Sequence, residues 1–456
     1  MMLYALAFAN HVILLLSLAT LWAMGLPATW IVFQNLRHRR AALATEVRLL
    51  GMPLPPDAEL PHVLVQIPSF NEGKLVRGVC DAVAGFDWPR DRLHVQLLDD
   101  STDGSLLAAS EAVSAMRERG VDAVLLHRDD RTGYKAGALA AGLSLANHEF
   151  VAIFDADYVP SKDFLRSCMR PMLLDERLAL VQARCDYLNA DQNWLTKIQQ
   201  RILDAHFGIE QPTRSWTNQV LPFNGTCGIW RRAAIDDAGG WQSDTLAEDL
   251  DLSYRVQLRG WRALFLVTVA VPGELPATFS TWRTQQYRWV KGPTQVARKL
   301  LPMVWRSGIS FSCKLLSTLQ FFGSAFGPML GIAVATGAID LAWGVGLSSL
   351  PATLLCLAIL QALAATSAML LLGQKTVRGA SLWAEIAWVP AVSAVFNWLA
   401  LANLLGVLEA MVGRSSAFVR TPKAARAGEG SFGSDTSIDT AASLSNHRAP
   451  VRDSRV

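Results

Sequence analysis

The sequence predicts an α/β domain built on a mostly parallel sheet and flanked by membrane-spanning helices. Three observations predict it. Short Val/Leu/Ile/Phe-rich runs alternate with helical stretches in the first half of the central region. Acidic clusters follow three of those runs, where a parallel sheet would present the carboxyl ends of its strands. Long uncharged stretches lie on either side of this region.

The N-terminal stretch contains no Asp, Glu, Lys or Arg before Arg37, and its apolar run 11–33 is long enough to cross about 30 Å of hydrocarbon. A cleaved leader would begin with basic residues, whereas here the cluster Arg37, Arg39 and Arg40 comes after the run. Residues 1–36 therefore read as a transmembrane helix with its N-terminus outside, which places residues 37–294 in the cytosol. Within that domain, residues 62–67, 93–98, 123–127 and 150–154 read as strands, and 72–85, 105–119 and 135–146 as helices. In the second helix Leu106, Leu107, Ala109, Ala112, Val113 and Met116 recur at helical spacing.

Residues 295–314, with Arg298, Lys299 and Arg306 among Leu, Met, Val and Trp, suit a helix lying at a membrane interface. Beyond it, 315–339, 341–373 and 386–408 are uncharged, and only Asp340 separates the first two. One such run could be the core helix of a soluble protein; three in succession favour membrane spans within residues 315–413. Three spans put Lys375 and Arg378 inside but Arg414, Arg420, Lys423 and Arg426 outside, against the positive-inside rule. Either one stretch is re-entrant or interfacial, or a fourth span exists. Residues 414–456, rich in Ser, Ala, Gly, Thr and Asp, have the composition of a disordered tail.

Composition narrows the function. Among 456 residues, 42 Lys+Arg against 39 Asp+Glu leave a net charge of +3, too little for a nucleic-acid groove. Hydrophobic residues at 51% exclude a disordered chain. The six cysteines show no metal spacing and read as isolated, reduced thiols facing the cytosol.

Asp155-Ala156-Asp157 ends the fourth strand with two carboxylates that can hold one hard cation, Mg²⁺ or Mn²⁺, and leave positions for phosphate oxygens. A strand-end turn also favours Asp. Asp99-Asp100 after the second strand reads as a base or ribose contact, or as a turn or helix cap. Glu248-Asp249 stands before an apolar stretch, with capping as its simpler role. Gln285-Gln286-Tyr287-Arg288-Trp289 combines an arginine suited to phosphate with an indole suited to a sugar face. A membrane-interface belt has the same composition.

In order, these motifs and the phrase Gly133-Tyr134-Lys135-Ala136-Gly137 resemble the processive branch of glycosyltransferase family 2, inverting enzymes with a GT-A fold. The resemblance is closest to the plant cellulose-synthase-like A mannan and glucomannan synthases. It extends from His62 to Pro293 and includes Val65-Gln66-Ile67-Pro68 and Phe223-Asn224-Gly225-Thr226.

The resemblance implies a GT-A domain in a multi-pass cell-membrane enzyme of polysaccharide and cell-wall biosynthesis. It assigns Asp99 and Asp100 to the nucleotide, Lys135 to its phosphates, and Asp155 and Asp157 to the divalent cation. Asp249 becomes the general base, with Glu248 beside it; the family's Thr before this pair is Ala247 here. Phe223, Asn224 and Gly225 would line the acceptor end, while Gln285, Arg288 and Trp289 would grip diphosphate and terminal sugar. The implied donor is UDP-glucose or GDP-mannose and the acceptor a growing β-glycan. Two other readings stand beside it: a non-processive enzyme glycosylating a membrane lipid, and a catalytically inactive nucleotide-sugar sensor.

Overall fold

The computed structural model describes residues 2–323, 326–343 and 349–414. Its centre is a seven-stranded sheet in the order β3-β2-β1-β4-β6-β5-β7. The strands are β1 (Val63–Ser69), β2 (Leu93–Asp99), β3 (Asp122–His127), β4 (Phe150–Ile153), β5 (Leu178–Tyr187), β6 (Gly228–Arg231) and β7 (Arg262–Gly273). Strands β3, β2, β1 and β4 run parallel; β6 is antiparallel to both β4 and β5, and β7 returns parallel to β5. This is the mostly parallel, mixed sheet of a GT-A fold.

Side chains alternate across β1, so Val63, Val65 and Ile67 face one layer and Leu64 the other. The first layer holds α2 (Val76–Ala84), α3 (Ser105–Glu118) and α5 (Phe164–Leu174). The second holds α4 (Tyr134–Ser144), α8 (Arg232–Asp237) and α9 (Glu248–Leu258). Apolar residues cover both faces, so the strands read as nearly continuous hydrophobic runs.

The first helix, α1 (Met2–Leu50), does not stop at the basic cluster; it continues beside the domain. Asn35 donates to Thr213 Oγ1 at 2.9 Å. The buried Glu46 carboxylate accepts the backbone N–H of Val267 at 3.1 Å, and the N–H and hydroxyl of Thr268 at 2.7 and 2.6 Å. There β7 slips its register against β5, so its N–H groups lack strand partners and Glu46 supplies them.

Residues 194–216 form one helical stretch: α6 (Trp194–Ala205), a π-turn (His206–Glu210) and α7 (Gln211–Trp216). The chain then runs through α10 (Phe279–Arg306), α11 (Phe311–Phe321), α12 (Phe326–Ala342), α13 (Ser349–Arg378), α14 (Leu382–Ile386), α15 (Val389–Ala402) and α16 (Leu404–Met411). The segment 295–314 is the second half of α10 and the start of α11. Its Val296, Ala297, Leu300 and Val304 pack on Leu250 and Tyr254 of α9, leaving Met303, Trp305 and Phe311 exposed. The run 315–339 is shared between α11 and α12, and 386–408 between α15 and α16. Among the described residues one helix, Tyr4–Leu50, is long and apolar enough to cross a membrane. Most of the tail expected from residue 414 onward lies outside the described residues. Cys80, Cys168, Cys185, Cys227 and Cys313 are free and buried; burial pushes the Cys80 thiol up to about 12, the state of an inert packed thiol.

Candidate active site

Beyond the carboxyl end of β4, the first turn of α4, the 223–226 loop, the N-terminus of α9 and Arg288 of α10 come together. Lys135, in the first turn of α4, donates from Nζ to Asp155 Oδ1 at 2.5 Å and to the Gly225 carbonyl at 2.8 Å. Thr226 Oγ1 accepts the Asp155 N–H at 2.9 Å, tying the strand-end turn to the 223–226 loop. Gly225 has φ +79°, and a Cβ there would lie 2.9 Å from Asp249 Oδ2, so only glycine lets the loop pass this close to the carboxylate.

Asp249 is the second residue of α9. Ala247 occupies the N-cap position and makes no side-chain cap, so neither acid caps the helix from that position. Asp249 Oδ1 accepts the next N–H, of Leu250, at 2.7 Å and Oδ2 faces Gly225. Ser253 fastens α9 to the loop by accepting the Phe223 N–H at 2.7 Å.

These charges form one cluster. Burial pushes the Glu248 carboxyl up to about 7, helped by the Asp249 charge and opposed by Lys135. Burial raises Asp249 as well, again against Lys135. Burial disfavours the Lys135 ammonium, but Asp155, Glu248 and Asp249 outweigh it and hold its pKa above the ordinary value. Arg288 is shifted down by burial, with Glu248, Asp155 and Asp249 pulling the other way. Two cationic groups thus stand within electrostatic reach of the same three acids.

Other sequence-predicted residues are placed less directly. Asp157 lies two residues beyond Asp155 in the same turn and is partly exposed. Phe223 is buried edge-on against Trp230, with centroids 5.4 Å apart, and reaches the site through its backbone. Asn224 receives Gln211 Nε2 on its Oδ1 at 3.0 Å, and its N–H donates to Gln182 Oε1 at 3.2 Å. Gln285 lies one turn before Arg288, while Trp289 is 48% exposed and about 100° further round α10. Asp99 is fully enclosed: Oδ1 accepts Ser101 Oγ at 2.7 Å, and Oδ2 meets His127 Nδ1 at 2.8 Å. Asp100 holds the Arg128 fork at 2.7 and 2.6 Å.

Sequence reasoning quoted Thr226 within the 223–226 phrase without giving it a role, and it missed Gln182, Gln211, His127, Arg128 and Ser253. Gln211 follows the π-turn that re-aims the helix beside the loop. No local pattern announces these residues, because each acts across the sheet or between distant helices.

Residues 61–292, half of the chain, match the family described as glycosyltransferase like family 2. The chain belongs to that family. Glucomannan 4-beta-mannosyltransferase 2 of Arabidopsis thaliana is 44% identical over 281 residues, covering 59% of this chain and 52% of that protein. Glucomannan 4-beta-mannosyltransferase 1 of Oryza sativa subsp. japonica is 43% identical over 268 residues, 56% and 51% of the two chains. The resemblance to cellulose-synthase-like A enzymes is thus borne out, although this family member spans about half the length of the curated relatives it matches. Among solved structures, the mannosyltransferase PcManGT from Pyrobaculum calidifontis, in complex with GDP-Man and Mn²⁺, superposes with a TM-score of 0.51 at 22% identity. That match covers 79% of this chain and all of the other, and it is a likeness of fold.

Proposed function

We propose that this glycosyltransferase moves a hexosyl unit from a nucleotide sugar, GDP-mannose before UDP-glucose, to a hydroxyl at the end of a growing β-glycan of mannan type. GDP-mannose takes precedence because of the glucomannan mannosyltransferase relatives and the GDP-Man held by the structural neighbour. The convergence of Asp249, Lys135, Asp155 and Arg288 around the Gly225 loop carries the reading.

Asp249 takes the proton from the acceptor hydroxyl as that oxygen attacks the anomeric carbon. Attack opposite the departing diphosphate inverts an α-linked donor into a β-linkage. Lys135 and Arg288 meet the negative charge that builds on the diphosphate. Asn224, Gly225 and Trp289 line the acceptor side with Glu248, Gln285 joins Arg288 on the donor side, and Trp289 offers an exposed indole to a sugar face.

Asp155 and Asp157 fit Mg²⁺ or Mn²⁺: they are hard oxygen donors in a partly exposed turn. Among the described residues no third His, Cys or acidic group completes a protein cage. Two carboxylates plus substrate phosphates is the ligand set such a cation takes. When bound, the cation neutralises charge on the leaving diphosphate. The α1 helix anchors the enzyme in the membrane with residues 37–294 on the cytosolic side, and the later apolar helices add further spans.

Membranes carrying the chain, incubated with radiolabelled GDP-mannose or UDP-glucose and Mn²⁺, are expected to build a product that β-mannanase or β-glucanase digests, and EDTA should abolish it. Absence of transfer from both donors overturns the reading. Product size separates polymer extension from glycosylation of a lipid.

A further inference from the structure

The helix that carries Arg288 is held along two stripes. Arg288, Gly292, Gln295 and Lys299 follow one another at i, i+4, i+7 and i+11 and so share one side of α10. Arg288 stands within electrostatic reach of Glu248, Asp155 and Asp249; Gln295 accepts the Leu246 N–H at 2.8 Å, and Lys299 reaches Asp244 at 2.7 Å. Tyr287, Lys291 and Arg298 repeat the same spacing one residue earlier, about 100° round the helix, and this second stripe meets α16.

The contact with α16 is close and specific. A Cβ on Gly406 would stand 3.0 Å from the Tyr287 ring. Arg298 donates to the Ala410 carbonyl at 2.8 Å, near the C-terminus of α16, where a cation is favoured. Between these contacts lies Glu409. Its Oε2 accepts from Lys291 Nζ at 2.7 Å and from the Tyr287 hydroxyl, and Lys291 Nζ also donates to that hydroxyl at 3.3 Å. The three groups close a triangle on one carboxylate oxygen. The Lys291 side chain is fully buried and that of Glu409 is 28% exposed. An ammonium so enclosed requires a counter-charge, and the carboxylate that meets it is Glu409. Glu409 lies outside residues 61–292, the part of the chain that matches the family.

We propose that Glu409 is a positioning residue for transfer: through Tyr287 and Lys291 it fixes the rotation and depth of the first half of α10, and with them the place of Arg288. Tyr287 and Lys291 flank Arg288 in sequence and lie one turn apart, so pinning both to one oxygen stops that turn from rolling about the helix axis. Removing the charge of Glu409 leaves a buried ammonium without its counter-charge, and that turn of α10 must shift toward water to relieve it. The inference rests on Arg288 meeting the charge of the leaving diphosphate, as proposed above.

The test compares wild type, Glu409→Gln and Glu409→Asp as detergent-solubilised full chains with Mn²⁺ and radiolabelled GDP-mannose or UDP-glucose, whichever donor wild type uses. Glu409→Gln keeps an oxygen acceptor without the charge, and its kcat per folded molecule should fall roughly ten- to hundredfold, the loss a displacement near 1 Å produces. Its donor KM should stay within about threefold of wild type, because the contact at stake is made in the transition state. Glu409→Asp, with the charge on a shorter stem, should recover part of the loss. Tyr287→Phe, the variant least able to unfold the chain, should lower kcat in the same pattern by a smaller factor. In an Arg288→Ala background, adding Glu409→Gln should cost less than about twofold further, since the residue acts through Arg288. A merely structural Glu409 would lower the amount of folded protein and act equally in both backgrounds. Wild-type kcat in folded Glu409→Gln and Tyr287→Phe, or an equal loss with and without Arg288, overturns the inference and leaves the proposed function standing. No transfer by wild type from either donor overturns that function, and this inference with it.

Discussion

At the residue scale, the division of labour among the acids is testable. Asp249→Asn keeps size and hydrogen bonding but cannot accept a proton, so transfer should fall about 10²–10⁴-fold while GDP or UDP binding persists. A folded Asp249→Asn protein retaining more than about a tenth of wild-type turnover would remove the residue as base. Glu248 is the second case. Its folded pKa, about 7, lies above its ordinary 4.5, so it holds a proton more firmly folded than unfolded. Its contribution to stability is therefore complete below pH 4.5 and is lost as pH rises through about 7. Glu248→Gln should raise the Tm at about pH 8 and change it little near pH 4. A Tm at alkaline pH equal to or below wild type would show that Lys135 and Arg288 fully compensate the buried charge. The residue types at both positions were legible in the motif. Their environment was not, because burial beside Lys135 and Arg288 joins parts of the chain more than 100 positions apart.

At the element scale, α10 binds the site together. Arg288 faces the acids from its first half, and its second half holds the loop before α9. Gln295 accepts the Leu246 N–H at 2.8 Å, and Lys299 reaches Asp244 at 2.7 Å and the buried Asp251 at 2.9 Å. A Cβ on Gly292 would stand 2.8 Å from that of Ala247. Gly292→Val should therefore push α10 off the N-terminus of α9, costing about 1–3 kcal/mol of stability, read by thermal unfolding. Because a displacement near 1 Å at a reacting centre can cost about a hundredfold, turnover should drop far more than the Tm suggests. A Gly292→Val protein with wild-type turnover would show that α10 does not set the distance between Arg288 and Asp249. The sequence expectation divided this segment at residue 295 and read 295–314 as a helix lying at a membrane interface. The helix passes through, since Val296, Ala297, Leu300 and Val304 share one face that α9 and Phe321 cover.

At the scale of the whole molecule, α1 is both an apolar helix and a brace of the catalytic domain, through Asn35 to Thr213 and Glu46 to the bulge of β7. The cluster Arg37, Arg39 and Arg40 predicts, by the positive-inside rule, a domain on the cytosolic side. A single cysteine placed at exposed Leu107 should resist an impermeant maleimide in intact cells and react once the membrane is opened. Labelling in intact cells would reverse the topology. A truncation starting after residue 50 should lose stability as well as membrane attachment, because the Val267 and Thr268 N–H groups then lose their acceptor.

The sequence by itself determined the strands and helices from β1 to β4, within a few residues, because side-chain period and strand-end polar residues are local properties. It also determined the order of the acidic motifs, and with it the family. Only the tertiary structure decided the antiparallel β6 between β4 and β5, the π-turn, and the partners of the acids. Pairing among distant strands depends on what each face must bury, and no window along the chain contains that information. Asp99 illustrates the difference. Its place at a strand end is written in the sequence, but its pairing with His127 arises from the β2–β3 register, which exists only once the sheet has formed.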